Sequence, residues 1–224
     1  MAQDYHDIEY ILWDGISKDN TEKIINKYRD KITKVVFHKD NGPGDASNMA
    51  LDIVEGDIVG FLFSDDIFFN KNTISSIVAK FQETNCDAVY GDMIYKNKKG
   101  RITRYWKASD YKTGSFLEGW SLPFPTFFAK KNIYNQFGAF NLKTKISDDY
   151  ELLFRLIHLN KIKISRIEKV LVVFNQSGRS SRILNRLIGL KNILKVVKSN
   201  NARVNYLKYI FKRYSSKIKE FFYE

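Results

Sequence analysis

Short apolar runs alternate with amphipathic stretches from the start of the chain to residue 91. The apolar runs predict buried strands, and the stretches between them, with apolar residues three or four positions apart, predict helices. The predicted strands are Ile8–Trp13, Val35–Phe37, Ile58–Phe63 and Ala88–Gly91, and the predicted helices are Thr21–Lys27, Asp45–Val54 and Asn72–Thr84. This alternation predicts an α/β fold with a mostly parallel sheet and helices on both faces.

The pattern changes after Asp92. The following elements are predicted there: a hairpin over Met93–Trp106, a loop over Gly114–Thr126, a strand over Thr126–Ala129 with a short helix after it, a helix over Asp148–Leu159, a strand over Lys169–Phe174, and two basic helices over Leu184–Lys198 and Ala202–Phe222. We therefore expect one α/β domain over residues 1–180 and a basic helical tail over residues 181–224.

Composition narrows the class of protein. Hydrophobic residues make up 44% and aromatic residues 15% of the 224 positions, and prolines number three, which excludes a disordered chain. A single cysteine, Cys86, excludes a disulfide framework within the chain and favours a reducing compartment. No apolar run is long enough to span a bilayer. A cytoplasmic protein is predicted.

The positive charge is concentrated in the tail. The net charge is +12, and the stretch from Arg179 to the end holds twelve basic and two acidic residues, a net charge of +10. Basic helices that carry bulky apolar residues are typical of segments that bind an anionic membrane surface. The alternative is that both helices pack on the body of the protein with solvated outer faces. Nucleic acid is not an expected partner, because no nucleic-acid-binding module accompanies the charge.

Acidic residues follow two of the predicted strands. Asp65 and Asp66 follow the strand Ile58–Phe63 after a single residue, Ser64, and Asp14 ends the first strand. Ligands of open α/β sheets bind outside the carboxyl ends of the strands, and paired carboxylates there suit a divalent cation. The alternatives are a helix cap for Asp65 or Asp66 and an ordinary Asp-Gly turn for Asp14.

A second acidic cluster begins the helix predicted over Asp148–Leu159. Asp148, followed three residues later by Glu151, has the form of a capping box with Asp148 as N-cap. Asp149 shares a helix face with Leu152, Leu153 and Leu156, so we expect it to face inward. An inward carboxylate at the edge of a cleft suits a general base, and the alternative is an acid that only favours the helix dipole.

Five stretches in consistent order and spacing resemble the family 2 glycosyltransferases of the GT-A fold. They are Ile8–Ser17, Asp45–Asn48, Gly56–Asp66, Gly119–Phe128 and Ser147–Leu156. The resemblance covers roughly residues 3–180 and is greatest to the branch that builds bacterial surface polysaccharides such as exopolysaccharide, capsule and O-antigen.

The resemblance implies a role for each matching position. Asp65 and Asp66 would hold Mn²⁺ or Mg²⁺ on the diphosphate of a nucleotide-sugar donor, and Asp149 would deprotonate the acceptor hydroxyl in an inverting reaction. Asp14, Asp45, Asn48 and Asp65 are assigned to donor binding, and Trp120 to the loop that meets a saccharide or lipid-linked acceptor. Arg179 and Arg182 would add charge near the diphosphate, unless they lie in a solvated basic loop. Such an enzyme would act on the inner face of the cytoplasmic membrane in polysaccharide biosynthesis of the cell envelope.

The chain departs from the family pattern at several places. Phe63 stands where the family often has Asp or Asn, Phe124 where relatives often have His, and Ser47 where an Arg is frequent. Residues 1–5 resemble the segment that follows the first strand and helix of the family, so an N-terminally truncated domain is expected. The alternative function is an inactive remnant that serves as a membrane-binding or scaffold protein. A nucleotidyltransferase would show a Gly-rich phosphate loop near its start, and none is visible.

Overall fold

The structure, a computed structural model, describes residues 2–143, 147–175, 183–199 and 206–218. These ranges hold eight strands and seven α-helices in an α/β order, so the predicted fold class is confirmed. The strands are β1 (Ile11–Asp14), β2 (Lys34–Phe37), β3 (Ile58–Gly60), β4 (Asp66–Phe68), β5 (Ala88–Lys96), β6 (Ile102–Trp106), β7 (Phe128–Lys130) and β8 (Ile164–Asn175). The helices are α1 (Thr21–Lys27), α2 (Pro43–Ile53), α3 (Thr73–Thr84), α4 (Lys131–Phe137), α5 (Asp148–Leu153), α6 (Ile183–Ser199) and α7 (Tyr206–Ile218).

The strands form two sheets with mixed pairing. β1 and β2 make a parallel pair, and the other six strands follow the order β3-β7-β5-β8-β4, with β6 also paired to β5. In the larger sheet β5 and β8 run parallel, whereas the pairs β3–β7, β5–β7, β5–β6 and β4–β8 are antiparallel. The expectation of a mostly parallel sheet is therefore not met. Parallel neighbours need a crossover, usually a helix, but β6 follows β5 through a tight turn and β7 follows β6 through a loop.

Two predicted elements, a strand and a helix, are shorter in the structure than the sequence pattern predicts. The apolar run from Ile58 continues to Phe63, but β3 ends at Gly60 because Phe61 and Phe63 turn into an aromatic cluster beside the sheet. The helix predicted over Asp148–Leu159 is α-helical to Leu153 and continues as a π-helical turn over Phe154–Leu159. Turns of this type often lie near functional sites.

Two hydrophobic clusters lie on opposite faces of β5. Ala88 and Tyr90 belong to the larger cluster, while Val89 and Met93 belong to the smaller one, as the alternation of a strand requires. α3 covers the smaller cluster, and α5, α6 and α7 contribute to the larger one. Helices therefore lie on both faces of the sheet, as predicted.

The two tail helices share the larger cluster with the body. Ile193, Val196 and Val197 of α6 are buried there, and so is Tyr209 of α7. The inner faces of α6 and α7 therefore pack on the body of the protein, as the alternative to membrane binding expects. The division into domains at residue 181 stays a prediction. None of the helices in the described ranges is long and apolar enough to cross a membrane.

One buried ion pair links β5 to β8. The carboxylate of Asp92 is buried and accepts hydrogen bonds from the hydroxyl of Tyr105 at 2.8 Å and the amide of Ala108 at 2.9 Å. Arg166 Nη2 lies 3.6 Å from Asp92 Oδ1, and Arg166 Nη1 lies 3.8 Å from Oδ1 of Asp110, a side chain that is 73% exposed. Arg166 therefore has one buried and one exposed anionic partner.

We expect Asp92→Ala to lower the free energy of unfolding by about 3–5 kcal/mol, because the charge of Arg166 would lose its buried partner. The matched control Asp110→Ala removes the exposed partner and should cost less than about 1 kcal/mol. Urea denaturation followed by circular dichroism measures both. Equal losses in the two variants would contradict the assignment.

Candidate active site

The carboxyl ends of β1 and β2 bring two acidic residues together. Asp14 is buried at the end of β1, and its carboxylate accepts hydrogen bonds from the amide and the hydroxyl of Ser17, both at 2.7 Å. Asp40 follows β2, and a Cβ built on Gly15 would lie only 2.5 Å from Asp40 Oδ2. The sequence prediction missed Asp40, although Asp40 follows its strand much as Asp14 ends β1.

The first half of α2 lies beside this edge. The Asp45 carboxylate accepts hydrogen bonds from the backbone and side-chain amides of Asn41, at 2.9 and 2.8 Å. The Asn48 side chain donates to the Phe140 carbonyl and accepts from the Phe140 amide, at 2.9 and 2.8 Å. Both side chains are engaged within the protein, so in this structure they hold the edge of the site in place.

The acidic turn after β3 contains one half-buried and one buried carboxylate. Asp65 lies in the turn, where its carbonyl accepts a hydrogen bond from the Asn175 side chain at 2.7 Å. Asp66 begins β4 and is buried. Burial and then the neighbouring charge of Asp65 raise the pKa of Asp66 to about 7. Pairing of β4 with β8 fixes this turn beside the last residue of β8.

The chemistry of the acidic turn fits a divalent cation that also binds substrate phosphates. Both carboxylate oxygens of Asp66 are buried without a hydrogen-bond partner, which is costly for an acceptor unless a cation or another partner binds there. Within the described residues no group of three His, Cys, Asp or Glu side chains could hold an ion alone. Mg²⁺ and similar ions usually take one or two carboxylates together with phosphate oxygens.

The helix α5 begins differently from the predicted capping box. Ser147 occupies the N-cap position with a left-handed backbone (φ 77°), and Asp148 is the first helical residue. Glu151 pairs instead with Arg155, whose Nε lies 2.9 Å from Glu151 Oε1. The capping-box interpretation is therefore wrong, because the sharp turn at Ser147 moves the cap one residue earlier.

The first turn of α5 meets the first turn of α2. A Cβ built on Gly44 would lie 2.5 Å from Asp148 Oδ2, so only glycine permits this approach. Burial and then the neighbouring charge of Asp149 raise the pKa of Asp148 to about 6. The acidic start of α5 is thus held against the edge formed by β1, β2 and α2.

Asp149 lies at the margin of the larger hydrophobic cluster. Its side chain is half-buried, and Leu152, Leu153 and Leu156 on the same helix face are all buried in the cluster. Burial raises the pKa of the Asp149 carboxyl, while the amide of Tyr150 and the positive charge of Arg213 act in the opposite direction. Arg213 belongs to α7, and no feature of the sequence distinguishes it from the other basic residues of the tail.

The loop that carries Trp120 packs as an aromatic wall. The indole N–H of Trp120 donates to the Ser109 carbonyl at 3.2 Å and to its hydroxyl at 3.0 Å. The Trp120 ring lies 5.0 Å from the ring of Phe116 and 5.2 Å from that of Tyr111. Phe116 in turn lies 5.7 Å from the ring of Tyr150, so the loop reaches the start of α5.

Two of the departures from the family pattern touch each other. The rings of Phe63 and Phe124 lie 6.4 Å apart, and Phe124 also contacts Phe61 at 6.1 Å and Phe140 at 5.5 Å. The two positions therefore form one apolar contact. Ser47, the third departure, is buried in α2.

Arg179 and Arg182 lie outside the described residues, so their predicted role is unchanged. The described part of β8 ends at Asn175, which is hydrogen-bonded to Asp65.

Comparisons with known proteins identify the fold and the family of the chain. Among curated proteins, a PGL/p-HBAD biosynthesis glycosyltransferase of Mycobacterium bovis is 26% identical over 183 residues, 80% of this chain and 69% of that protein. Among solved structures, residues 1–349 of S. aureus TarS in complex with UDP-GlcNAc match with a TM-score of 0.64 and 21% identity, over 96% of this chain and 66% of that one.

A mannosyltransferase from Pyrobaculum calidifontis, solved with GDP-Man and Mn²⁺, matches with a TM-score of 0.63 and 14% identity, over 96% of this chain and 62% of that one. The chain spans less than two thirds of both solved structures, and at these identities they show the fold alone: it is the GT-A fold. The family model described as glycosyl transferase family 2 matches residues 1–142. Because this match covers more than half of the chain, the protein belongs to glycosyl transferase family 2.

Proposed function

We propose that the protein transfers a sugar from a nucleotide-diphosphate donor to a membrane-associated acceptor, with inversion at the anomeric carbon, in the biosynthesis of a bacterial surface polysaccharide. The observation that carries the proposal is Asp149, a half-buried carboxylate at the start of α5, whose two chain neighbours contact α2 (Asp148, at Gly44) and the Trp120 loop (Tyr150, at Phe116). Family membership supports a transferase that uses a nucleotide sugar.

The donor would bind along the carboxyl edge of the sheets. Asp14 and Asp40 lie at the end of β1 and β2, where ligands of α/β folds bind. Asp45 and Asn48 would act by holding the start of α2 and the Phe140 segment in place. TarS has been solved with UDP-GlcNAc and the Pyrobaculum enzyme with GDP-Man, which supports a nucleoside-diphosphate sugar without choosing the base.

Asp65 and Asp66 would hold a divalent cation on the donor diphosphate. Mn²⁺ or Mg²⁺ in this position would supply positive charge that stabilises the departing diphosphate. Asn175 fixes the turn through the Asp65 carbonyl, and the β4–β8 pairing keeps Asp66 in register. Arg179 and Arg182 would bring further positive charge to the same leaving group.

Asp149 would act as the general base on the acceptor. Its carboxylate takes the proton of the acceptor hydroxyl as the oxygen forms a bond to the anomeric carbon. The bond from that carbon to the diphosphate breaks on the opposite side of the sugar, and the nucleoside diphosphate leaves. Burial that raises the pKa of Asp149 makes it a stronger proton acceptor than an exposed aspartate.

The acceptor would approach from the side of the Trp120 loop and α7. The exposed fractions of Leu207 and Phe211 on α7 are 82% and 73%, and Tyr214 on the same helix face is 44% exposed. The tail that includes α7 is strongly basic in sequence, and each basic residue near an anionic membrane contributes about 1 kcal/mol to binding. An apolar stripe with basic neighbours fits the surface of an anionic bilayer, where a lipid-linked acceptor would lie.

Asp149→Asn should reduce sugar transfer by about 10²- to 10⁴-fold, because the amide cannot accept the proton, while nucleotide binding is retained. The assay is release of nucleoside diphosphate from a panel of UDP- and GDP-sugars, with detergent-solubilised bacterial membrane lipids as acceptor. The control Glu168→Gln removes an exposed carboxylate on β8 and should retain activity within about threefold. Full activity of Asp149→Asn would refute the base assignment.

Binding of UDP or GDP should depend on Mn²⁺ and on Asp65. Because the cation neutralises diphosphate charge, we expect EDTA or Asp65→Asn to weaken binding by about tenfold or more in a calorimetric titration. Asp52→Asn, an exposed acid on α2, is the control and should bind as the wild type. No binding of either nucleotide at millimolar concentration would support the inactive remnant instead.

Leu207→Gln and Phe211→Gln should each weaken sedimentation with vesicles containing anionic phosphatidylglycerol by about tenfold, since each removes apolar contact with the bilayer. Ile24→Gln on α1, at a site that is also exposed, should leave vesicle binding unchanged. Binding should weaken in high salt and with purely zwitterionic vesicles. Equal binding by the wild type and both α7 variants would contradict membrane docking through this face.

A further inference from the structure

The helix α7 has two faces with different surroundings. Leu207 and Phe211 are exposed, whereas Tyr209 is completely buried and Ile210 packs against the larger hydrophobic cluster. The inner face is built into the protein at the point where the Trp120 loop meets α5. The inner face of α7 therefore contacts the elements that form the candidate active site.

Two contacts fix the inner face of α7 against α5. The hydroxyls of Tyr209 and Tyr150 lie 3.0 Å apart and share a buried hydrogen bond. The guanidinium carbon of Arg213 lies 5.3 Å from the centre of the Tyr150 ring, a cation–π distance. Tyr150 directly follows Asp149, so both contacts act on the turn of α5 that carries the candidate base.

The Trp120 loop fixes α7 from the other side. A Cβ built on Gly119 would lie 2.9 Å from the Tyr209 carbonyl and 3.0 Å from the Cβ of Arg213, so the helix and the loop touch through backbone atoms. Gly119 also has a left-handed backbone (φ 88°). Lys212 Nζ lies 2.7 Å from the carboxylate of Glu118 in an exposed ion pair.

We propose that Arg213 is a positioning residue for Asp149: packed from α7 on the ring of Tyr150, it brings a positive charge to the turn of α5 that carries this carboxylate, and it couples the carboxylate to the docking of α7. This inference rests on the proposed function, in which Asp149 is the base. It assigns a role in the reaction to a residue of the basic tail.

Among the described side chains around Asp149, Arg213 is the one whose positive charge acts on this carboxylate. On α5 the neighbouring carboxylate is Asp148, and Glu151 is ion-paired with Arg155. The turn Phe124–Thr126 has no ionisable side chain, and Lys191, Lys195 and Lys198 of α6 are exposed. On α7 the groups facing α5 are Arg213 and the Tyr209 phenol.

The sign of the effect follows from these charges. Burial raises the pKa of Asp149, and the positive charge of Arg213 lowers it. Removing that charge should raise the pKa further, so that a larger fraction of Asp149 is protonated at a given pH. The acidic limb of the activity profile should therefore move to higher pH.

The test compares Arg213→Gln, Arg213→Lys and the control Lys212→Gln, with kcat and KM measured from pH 5.5 to 9 in detergent with the best donor of the panel. We expect Arg213→Gln to lower kcat about tenfold at pH 6.5 and to move the acidic limb up by about one pH unit, since one unit is a tenfold change in protonation. KM for the donor should stay within about twofold. Arg213→Lys should keep the limb in place, and Lys212→Gln should match the wild type, because an exposed ion pair contributes little.

The inference would be overturned if the acidic limb of the pH profile did not move in Arg213→Gln, or if it moved equally in Lys212→Gln. Should Arg213→Gln fail to fold, Arg213→Met keeps the packing on Tyr150 and removes the same charge, and the same shift is expected. Asp149→Asn distinguishes a failure of the base assignment from a failure of the role proposed for Arg213. If it is active, the base assignment on which this inference rests fails, whereas an inactive Asp149→Asn with an unshifted Arg213→Gln refutes only the role of Arg213.

Discussion

The candidate site depends on the start of α5, a helix that begins at the margin of the core with three carboxylates within four residues. Asp148, Asp149 and Glu151 would repel one another and resist burial unless other groups compensate. Glu151 is paired with Arg155, Asp148 sits against the start of α2 through Gly44, and Asp149 is influenced by Arg213. Gly44 and Arg213 tie α2 and α7 to this turn, and Arg155 belongs to the π-helical turn that continues α5, so the site depends on the packing of several elements around it.

The aromatic substitutions near the acidic turn are a consequence of packing as well as a departure from the family. Phe63 and Phe124 contact each other, and Phe140 links them to the segment held by Asn48. A polar side chain introduced at only one of these positions would be placed in an apolar cluster without an evident partner. The two departures from the family pattern are therefore linked by packing, because Phe63 and Phe124 form one apolar contact beside the acidic turn.

Much of the fold could be predicted from the sequence because helix and strand periodicity are local properties. The bounds of α1 agree with the prediction, and those of α3 differ from it by one residue at the start. Strand direction was not predictable in the same way, because it depends on connections such as the loop between β6 and β7 and not on periodicity. The N-cap at Ser147 was missed because a left-handed serine is rare and nothing local signals it.

Part of the candidate site could be predicted because some of its residues stand out in the local sequence. Asp65, Asp66 and Asp149 stand out as acids after a strand or at a helix start, whereas Arg213 is one of twelve basic residues in the tail and acquires its role only through long-range packing. Asn48 was assigned to the donor, and its hydrogen bonds to Phe140 could not be read from residues so far apart in the chain.

The central claim is direct displacement at the anomeric carbon with Asp149 as base, and the stereochemistry of the product tests it most directly. Proton NMR of the product formed from an α-linked nucleotide sugar reports the configuration of the new linkage through its anomeric coupling constant. Single displacement predicts a β-linked product. An α-linked product would contradict the account, because retention requires a different role for the carboxylate.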